Sequence, residues 1–74
     1  MMRKEIKERV KEKLSEIRSD GKPAFRAISA FIVRRLVRAT SPEERQEWTM
    51  IRRLLWEHFA GFSKESFLRD LETL

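Results

Sequence analysis

The sequence lacks cysteine, tyrosine and asparagine, and it holds one histidine, two glycines and two prolines in 74 residues. Without cysteine the chain cannot form disulfides, and a single histidine cannot complete a structural zinc site. The longest apolar run, AISAFIV, lies between Arg26 and Arg34 and is far too short to cross a bilayer. The first dozen residues alternate charges where a secretion signal needs an apolar stretch. We therefore expect a cytoplasmic protein with no membrane partner.

Catalytic chemistry also lacks its usual residues. The sequence has no glycine-rich phosphate loop and no cluster of metal ligands, and its carboxylates are interspersed with lysine and arginine as on a solvated helix face. His58 falls between the helical columns of Ile51 and Leu54, where we expect a partly buried, hydrogen-bonded histidine at the core edge. The sequence therefore predicts no enzyme, no catalytic residue, no cofactor, no metal and no small-molecule substrate.

The composition is that of a small folded domain. Charged residues make up 39% of the chain and apolar residues 41%, a balance typical of helical domains. The length leaves room for one domain, so we treat residues 1–74 as a single helical domain. Many Lys, Arg and Glu with few thermolabile residues is a composition typical of thermophiles. The net charge of +5 favours a polyanionic partner.

Apolar residues recur at helical spacing in four segments, and the glycines and prolines fall at the joints between them. The pattern predicts helices at about 3–18, 23–39, 42–60 and 64–72. Because the connections are short, we expect an all-α fold, either a small four-helix bundle or an orthogonal helical domain. The second helix should be central, since its apolar arc is the widest.

Short motifs indicate where the helices begin and end. The stretch SPEE, with Ser41 as N-cap, predicts a capping box at the start of the third helix, and Ser63 can cap the fourth. Gly21 can end the first helix in the left-handed cap conformation, and Gly61 is the expected stop of the third. The residues expected to be buried in the second half of the chain are Trp48, Ile51, Leu54, Leu55, Phe59, Phe67, Leu68, Leu71 and Leu74.

The positive excess is confined to the first half of the chain. Residues 1–22 hold eight basic and five acidic residues, and residues 23–40 hold four basic and no acidic ones. Residues 41–60 and residues 61–74 each hold one more acidic than basic residue. A site for a negatively charged partner is therefore expected on the first two helices.

The second helix carries the strongest candidate for such a site. Arg34, Arg35 and Arg38 fall within an arc of about 100°, and Phe31 lies inside the same arc. Guanidinium groups bind phosphate oxygens in pairs, and an aromatic ring among them can stack on a base. If the first two helices lie side by side, the predicted nucleic-acid site extends to Lys7, Lys11 and Arg18.

The same features admit a second interpretation, in which the arginines are solvated or pair with the chain's own glutamates. Trp56 lies away from the buried column of its helix and close to Arg52, so a monomeric bundle leaves its ring partly exposed, as at interface hot spots. Val33 and Val37 extend the apolar arc beyond what four short helices readily cover. Trp56, Arg52, Val33 and Val37 are thus the predicted partner-binding residues, in a homodimer or in a larger complex.

Residues 54–74 loosely resemble a helix-turn-helix motif with Gly61 in the turn. Glu57, however, occupies a position where the motif needs a small residue, and the would-be reading helix holds more acidic than basic residues. Two hypotheses therefore remain. The leading one is an accessory or regulatory protein that binds DNA, RNA or a nucleoprotein complex through phosphate contacts. The alternative is a protein–protein adaptor or inhibitor with no direct nucleic-acid contact.

Overall fold

The computed structural model describes residues 3–74, and these residues form four α-helices and no strand. The helices are α1 (Lys4–Glu16), α2 (Lys22–Arg38), α3 (Pro42–Glu57) and α4 (Lys64–Glu72). The predicted small all-α fold is confirmed. Helix α2 has the most extensive packing, chiefly on α3 and also on α1. Helix α4 packs on α3 and α1, so each helix packs chiefly on two others.

One hydrophobic core runs through the described residues, and every helix contributes to it. On α1 the buried seam repeats at helical spacing, as expected from the sequence. Within residues 3–74, no polar or charged residue is buried, and no helix is long and apolar enough to span a membrane. The buried residues are Ile6, Val10, Leu14, Ala24, Phe25, Ile28, Ile32, Ala39, Trp48, Ile51, Leu55, Phe62, Phe67 and Leu71.

The two predicted serine caps are formed at the starts of α3 and α4. The Ser41 hydroxyl accepts a hydrogen bond from the backbone N–H of Glu44 at 3.1 Å, and the Ser63 hydroxyl accepts one from Ser66 at 3.4 Å. Each bond satisfies a donor that the first helical turn leaves unpaired. Gly21 has a positive φ of 70°, but it precedes α2 as its N-cap and does not cap α1. Helix α1 instead ends at Glu16, because Ile17 is already extended.

The end of α3 differs from the prediction and changes the core. The helix stops at Glu57, and the next two residues make tighter bonds, His58 N–H to Leu55 and Phe59 N–H to Trp56. Phe59 was expected in the core and is 56% exposed. Phe62, which follows the positive-φ Gly61, is buried in its place and packs against Phe25.

Polar contacts fasten α4 to the loop between α1 and α2. The Asp20 carboxylate accepts hydrogen bonds from the backbone N–H groups of Gly21, at 2.8 Å, and Lys64, at 3.0 Å. These bonds lower the pKa of Asp20, with the bond from Lys64 having the larger effect. The Lys64 ammonium also donates to the carbonyl oxygen of Ile17 at 2.6 Å. The loop of residues 17–21 is therefore bonded to the first residue of α4.

Candidate functional site

Three of the four arginines of α2 form an outward ridge, as the helical spacing predicts. Arg34 and Arg38 are exposed, and Arg35 is partly buried. Among residues 3–74, no carboxylate lies within ion-pair distance of any of these three guanidinium groups. We call Arg34, Arg35 and Arg38 the α2 ridge. The charge of its two exposed members, Arg34 and Arg38, is left available to a ligand, because no carboxylate of the described residues forms an ion pair with them.

Phe31 lies between the ridge and the hydrophobic core. Its ring packs edge-on against buried Trp48, with centroids 6.0 Å apart. The Arg35 guanidinium carbon lies 5.4 Å from the ring centroid, and the Lys13 ammonium lies 5.8 Å from it. Both distances are within the range of cation–π contact. Phe31 therefore holds one cation from α2 and one from α1 over its ring, and it is only partly open to a ligand.

A shallow groove of about 480 Å³ runs between α1 and α2 beside the ridge. It is lined by Arg9, Glu12, Lys13, Glu16, Phe31 and Arg35. The two glutamates reduce the positive charge inside the groove, and Glu16 lies 3.9 Å from the Lys13 ammonium. Beside this groove the positive charge is least compensated at Arg34 and Arg38 on the outer ridge, because α2 carries no acidic residue.

The three residues predicted to extend the site, Lys7, Lys11 and Arg18, lie in two places on the structure. Lys7 and Lys11 lie on the side of α1 that faces α4. Lys7 donates to the Glu72 carbonyl oxygen at 3.3 Å, and Lys11 forms a salt bridge with the Glu72 carboxylate. This salt bridge raises the pKa of Lys11 and lowers that of Glu72. Arg18 lies in the exposed loop after α1.

Arg9 and Lys13 are the α1 residues that meet the ridge side of α2. Advancing about 100° per residue, they lie on one flank of the α1 seam, and Lys7 and Lys11 lie on the other. Helical spacing separates these two flanks. Only the packing of α1 between α2 and α4 shows which flank faces which helix.

Trp56, on α3, and Phe59, in the loop that follows α3, form an exposed aromatic pair. Their rings stack with centroids 5.4 Å apart, and both pack edge-on against Phe25, at 5.2 Å and 5.4 Å. Trp56 is 50% exposed, as expected for its helical column, and Phe59 is 56% exposed. The pair is fixed to the core through Phe25, yet it presents a large apolar surface to solvent.

Two valines of α2 are also left uncovered by the single chain. Val33 is 40% exposed and Val37 is 76% exposed. On the α2 wheel they lie on the flank opposite Arg35 and Phe31. Arg52 is exposed on α3, one turn before Trp56. The predicted partner-binding residues are thus accessible on the outer surfaces of α2 and α3.

His58 is partly buried and hydrogen-bonded at the core edge, as predicted from its position. Its Nε2 lies 2.7 Å from a carboxylate oxygen of Asp70, and its ring packs edge-on against Phe67. These two contacts connect the C-terminal end of α3 to α4. Within residues 3–74, no group of three or more His, Cys, Asp or Glu side chains is placed to hold a metal ion.

Comparison with protein-family models, curated proteins and solved structures found no match to this chain. The candidate sites therefore rest on the geometry and charge of the α2 ridge and of the Trp56–Phe59 pair.

Proposed function

We propose that this protein binds nucleic acid through the phosphate backbone, with the α2 ridge as the contact surface. The observation that carries the proposal is the unneutralised charge of Arg34 and Arg38, which are exposed and have no carboxylate partner among residues 3–74. Guanidinium groups in such a row donate to successive phosphate oxygens. Backbone contact of this kind positions a protein without reading base sequence.

Arg9 and Lys13 extend the proposed contact onto α1 in place of Lys7 and Lys11. Both line the groove next to Arg35. A nucleic-acid backbone that follows the ridge would bring its phosphates close to the side chains of Arg9 and Lys13. The contact then involves about three to five phosphates, which predicts a steep loss of affinity with salt, with a log–log slope of roughly −3 to −4.5.

The test is a salt titration of binding to a fluorescein-labelled 20-base-pair DNA and to the matching RNA duplex. We expect R34A/R38A to weaken binding and to flatten the slope by about 2, because each arginine displaces about one counterion. R26A/R69A is the matched control, since it removes the same charge from exposed positions outside the ridge. Absence of binding at low salt, or equal flattening by the control, would contradict the proposal.

We propose protein docking as a second function, on the observation that Trp56 and Phe59 are half-exposed while stacked together and anchored on Phe25. An exposed tryptophan beside arginine is typical of interface hot spots. An adaptor that carried both surfaces would connect a nucleic acid at the α2 ridge to a protein at the aromatic pair. Selection of peptides that bind the protein, followed by measurement of their affinity for W56A, tests the docking function.

A further inference from the structure

The outer surface of α3 combines the aromatic pair with a row of cations. Two shallow pockets of about 490 Å³ and 310 Å³ lie along the helix and share Thr49. The first includes Arg45, and the second includes Arg52, Arg53 and Trp56. No carboxylate lines either pocket. We call Arg45, Thr49, Arg52, Arg53 and Trp56 the α3 strip.

The charge of this strip is not neutralised within the described chain. None of its three arginines has an ion pair among residues 3–74. At about 100° per residue, the acidic residues of α3 fall outside the arc of the strip. One of them, Glu47, is held by the Arg3 side chain at 2.8 Å. Although residues 41–60 are slightly acidic, the outer surface of α3 is therefore positive.

We infer that the α3 strip binds an acidic amphipathic helix of a partner protein. This inference rests on the docking function proposed above and adds the chemistry of the partner. Arg45 and Arg52 are two turns apart, about 10 Å along the helix axis, and carboxylates seven residues apart on a partner helix have the same spacing. An apolar side chain of the partner then packs on Trp56 and Phe59.

Charge and exposure favour this partner over two others. A second copy of the chain, docked strip to strip, would place three arginines against the same three arginines. A nucleic-acid strand would match the charge, but Phe59 is stacked on Trp56 and Phe25 packs against it edge-on, so a base finds only part of the indole available. The exposed surface of the pair is apolar and attached to the core, which suits a buried side chain of a protein.

The experiment selects phage-displayed random 16-residue peptides on the immobilised full chain and measures affinities of the selected peptides by fluorescence anisotropy. We expect the selected peptides to carry an excess of Asp and Glu together with a large apolar residue. Two variants divide the surface, R45E/R52E for the charge and W56A for the apolar contact. R34E/R38E is the matched control, because it makes the same charge reversal on the α2 ridge.

We expect W56A to weaken the selected peptides by about 30-fold or more and R45E/R52E by about 10-fold, while R34E/R38E changes affinity by less than about 2-fold. Circular dichroism of each variant checks that the helices are retained. R45E/R52E alters only exposed side chains, so it keeps the test valid if W56A loosens the fold.

Three results would overturn the inference, and they differ in what they leave standing. Neutral or basic peptides that depend on Trp56 would retain protein docking and reject the acidic partner. Failure to select any peptide that depends on the α3 strip would reject both. Displacement of the peptides by labelled single-stranded dT20, with the same sensitivity to W56A, would assign the strip to nucleic acid. None of these results depends on whether the α2 ridge binds DNA.

Discussion

At the scale of single residues, Phe59 is exposed where helical spacing predicts burial, and Phe62, three positions later, is buried. Continuing α3 to residue 60 places Phe59 on the buried side, and that expectation is wrong because the helix ends at Glu57. Phe62 lies beyond the helix, where no periodic pattern applies, and it is buried between Phe25 and Phe67. Periodicity predicts burial only as far as the helix continues.

Truncating these two side chains should therefore have unequal effects on stability. F62A removes a buried ring and leaves a cavity, so we expect a loss of about 3 kcal/mol or more in the free energy of unfolding. F59A removes a ring that is already more than half in water, and we expect a loss below about 1 kcal/mol. Urea denaturation of both variants measures the difference, and equal losses would contradict the burial of Phe62.

At the scale of helices, the sequence predicts where each element starts better than where it ends. The caps at Ser41 and Ser63 depend on a hydroxyl at one position, which the sequence states directly. The ends of α1 and α3 depend on how the following loop packs. Ile17 is extended because residues 17–21 cross to meet α4, and no local motif reports that contact.

The cap at α3 gives a test of this local control. S41A removes the acceptor for the Glu44 N–H, so we expect a loss of about 1 kcal/mol in the free energy of unfolding. S15A is the matched control, because the Ser15 hydroxyl bonds within α1 to the Glu12 carbonyl oxygen and does not cap a helix start. Alanine there should be neutral or slightly stabilising. Chemical denaturation of the two variants gives the comparison.

In the candidate sites, too, the features that depend on one helix can be predicted from the sequence, and those that depend on the packing of two helices cannot. The arc of Arg34, Arg35 and Arg38 follows from helix geometry alone, and so does the exposure of Trp56. The α1 residues that lie next to the ridge cannot be predicted from helix geometry, because they depend on which flank of α1 faces α2. Lys7 and Lys11 lie on the flank of α1 that contacts α4.

At the scale of the whole molecule, polar contacts at both ends of α4 supplement its packing on α1 and α3. Asp20 binds the backbone at the first residue of α4, and Glu72 in its last turn pairs with Lys11. Folding lowers the pKa of both carboxylates, the first chiefly through the Lys64 N–H and the second chiefly through the hydrogen bond from Lys11. The attachment of α4 is thus linked to pH.

The direction of this linkage follows from the pKa shifts. A carboxylate whose pKa is lower in the folded state stabilises the fold above its unfolded value, and that stability is lost as the pH falls through the folded value. The unfolded values are 3.8 for Asp20 and 4.5 for Glu72, so the loss begins near those pH values and continues below them. Lys11 has a raised pKa, so its contribution is complete below pH 10.5 and is lost above it.

We therefore expect D20N/E72Q to unfold at a lower urea concentration than the parent protein at pH 7, with the two midpoints converging as the pH is lowered from about 5 to 2. Convergence is required because protonation makes the parent carboxyls neutral, as the amides already are. E65Q is the matched control, since Glu65 is an exposed carboxylate bonded to Arg69 within α4. A difference between D20N/E72Q and the parent that persisted unchanged at pH 2 would show that the amides alter packing at the ends of α4, and that the charges of Asp20 and Glu72 do not fasten this helix.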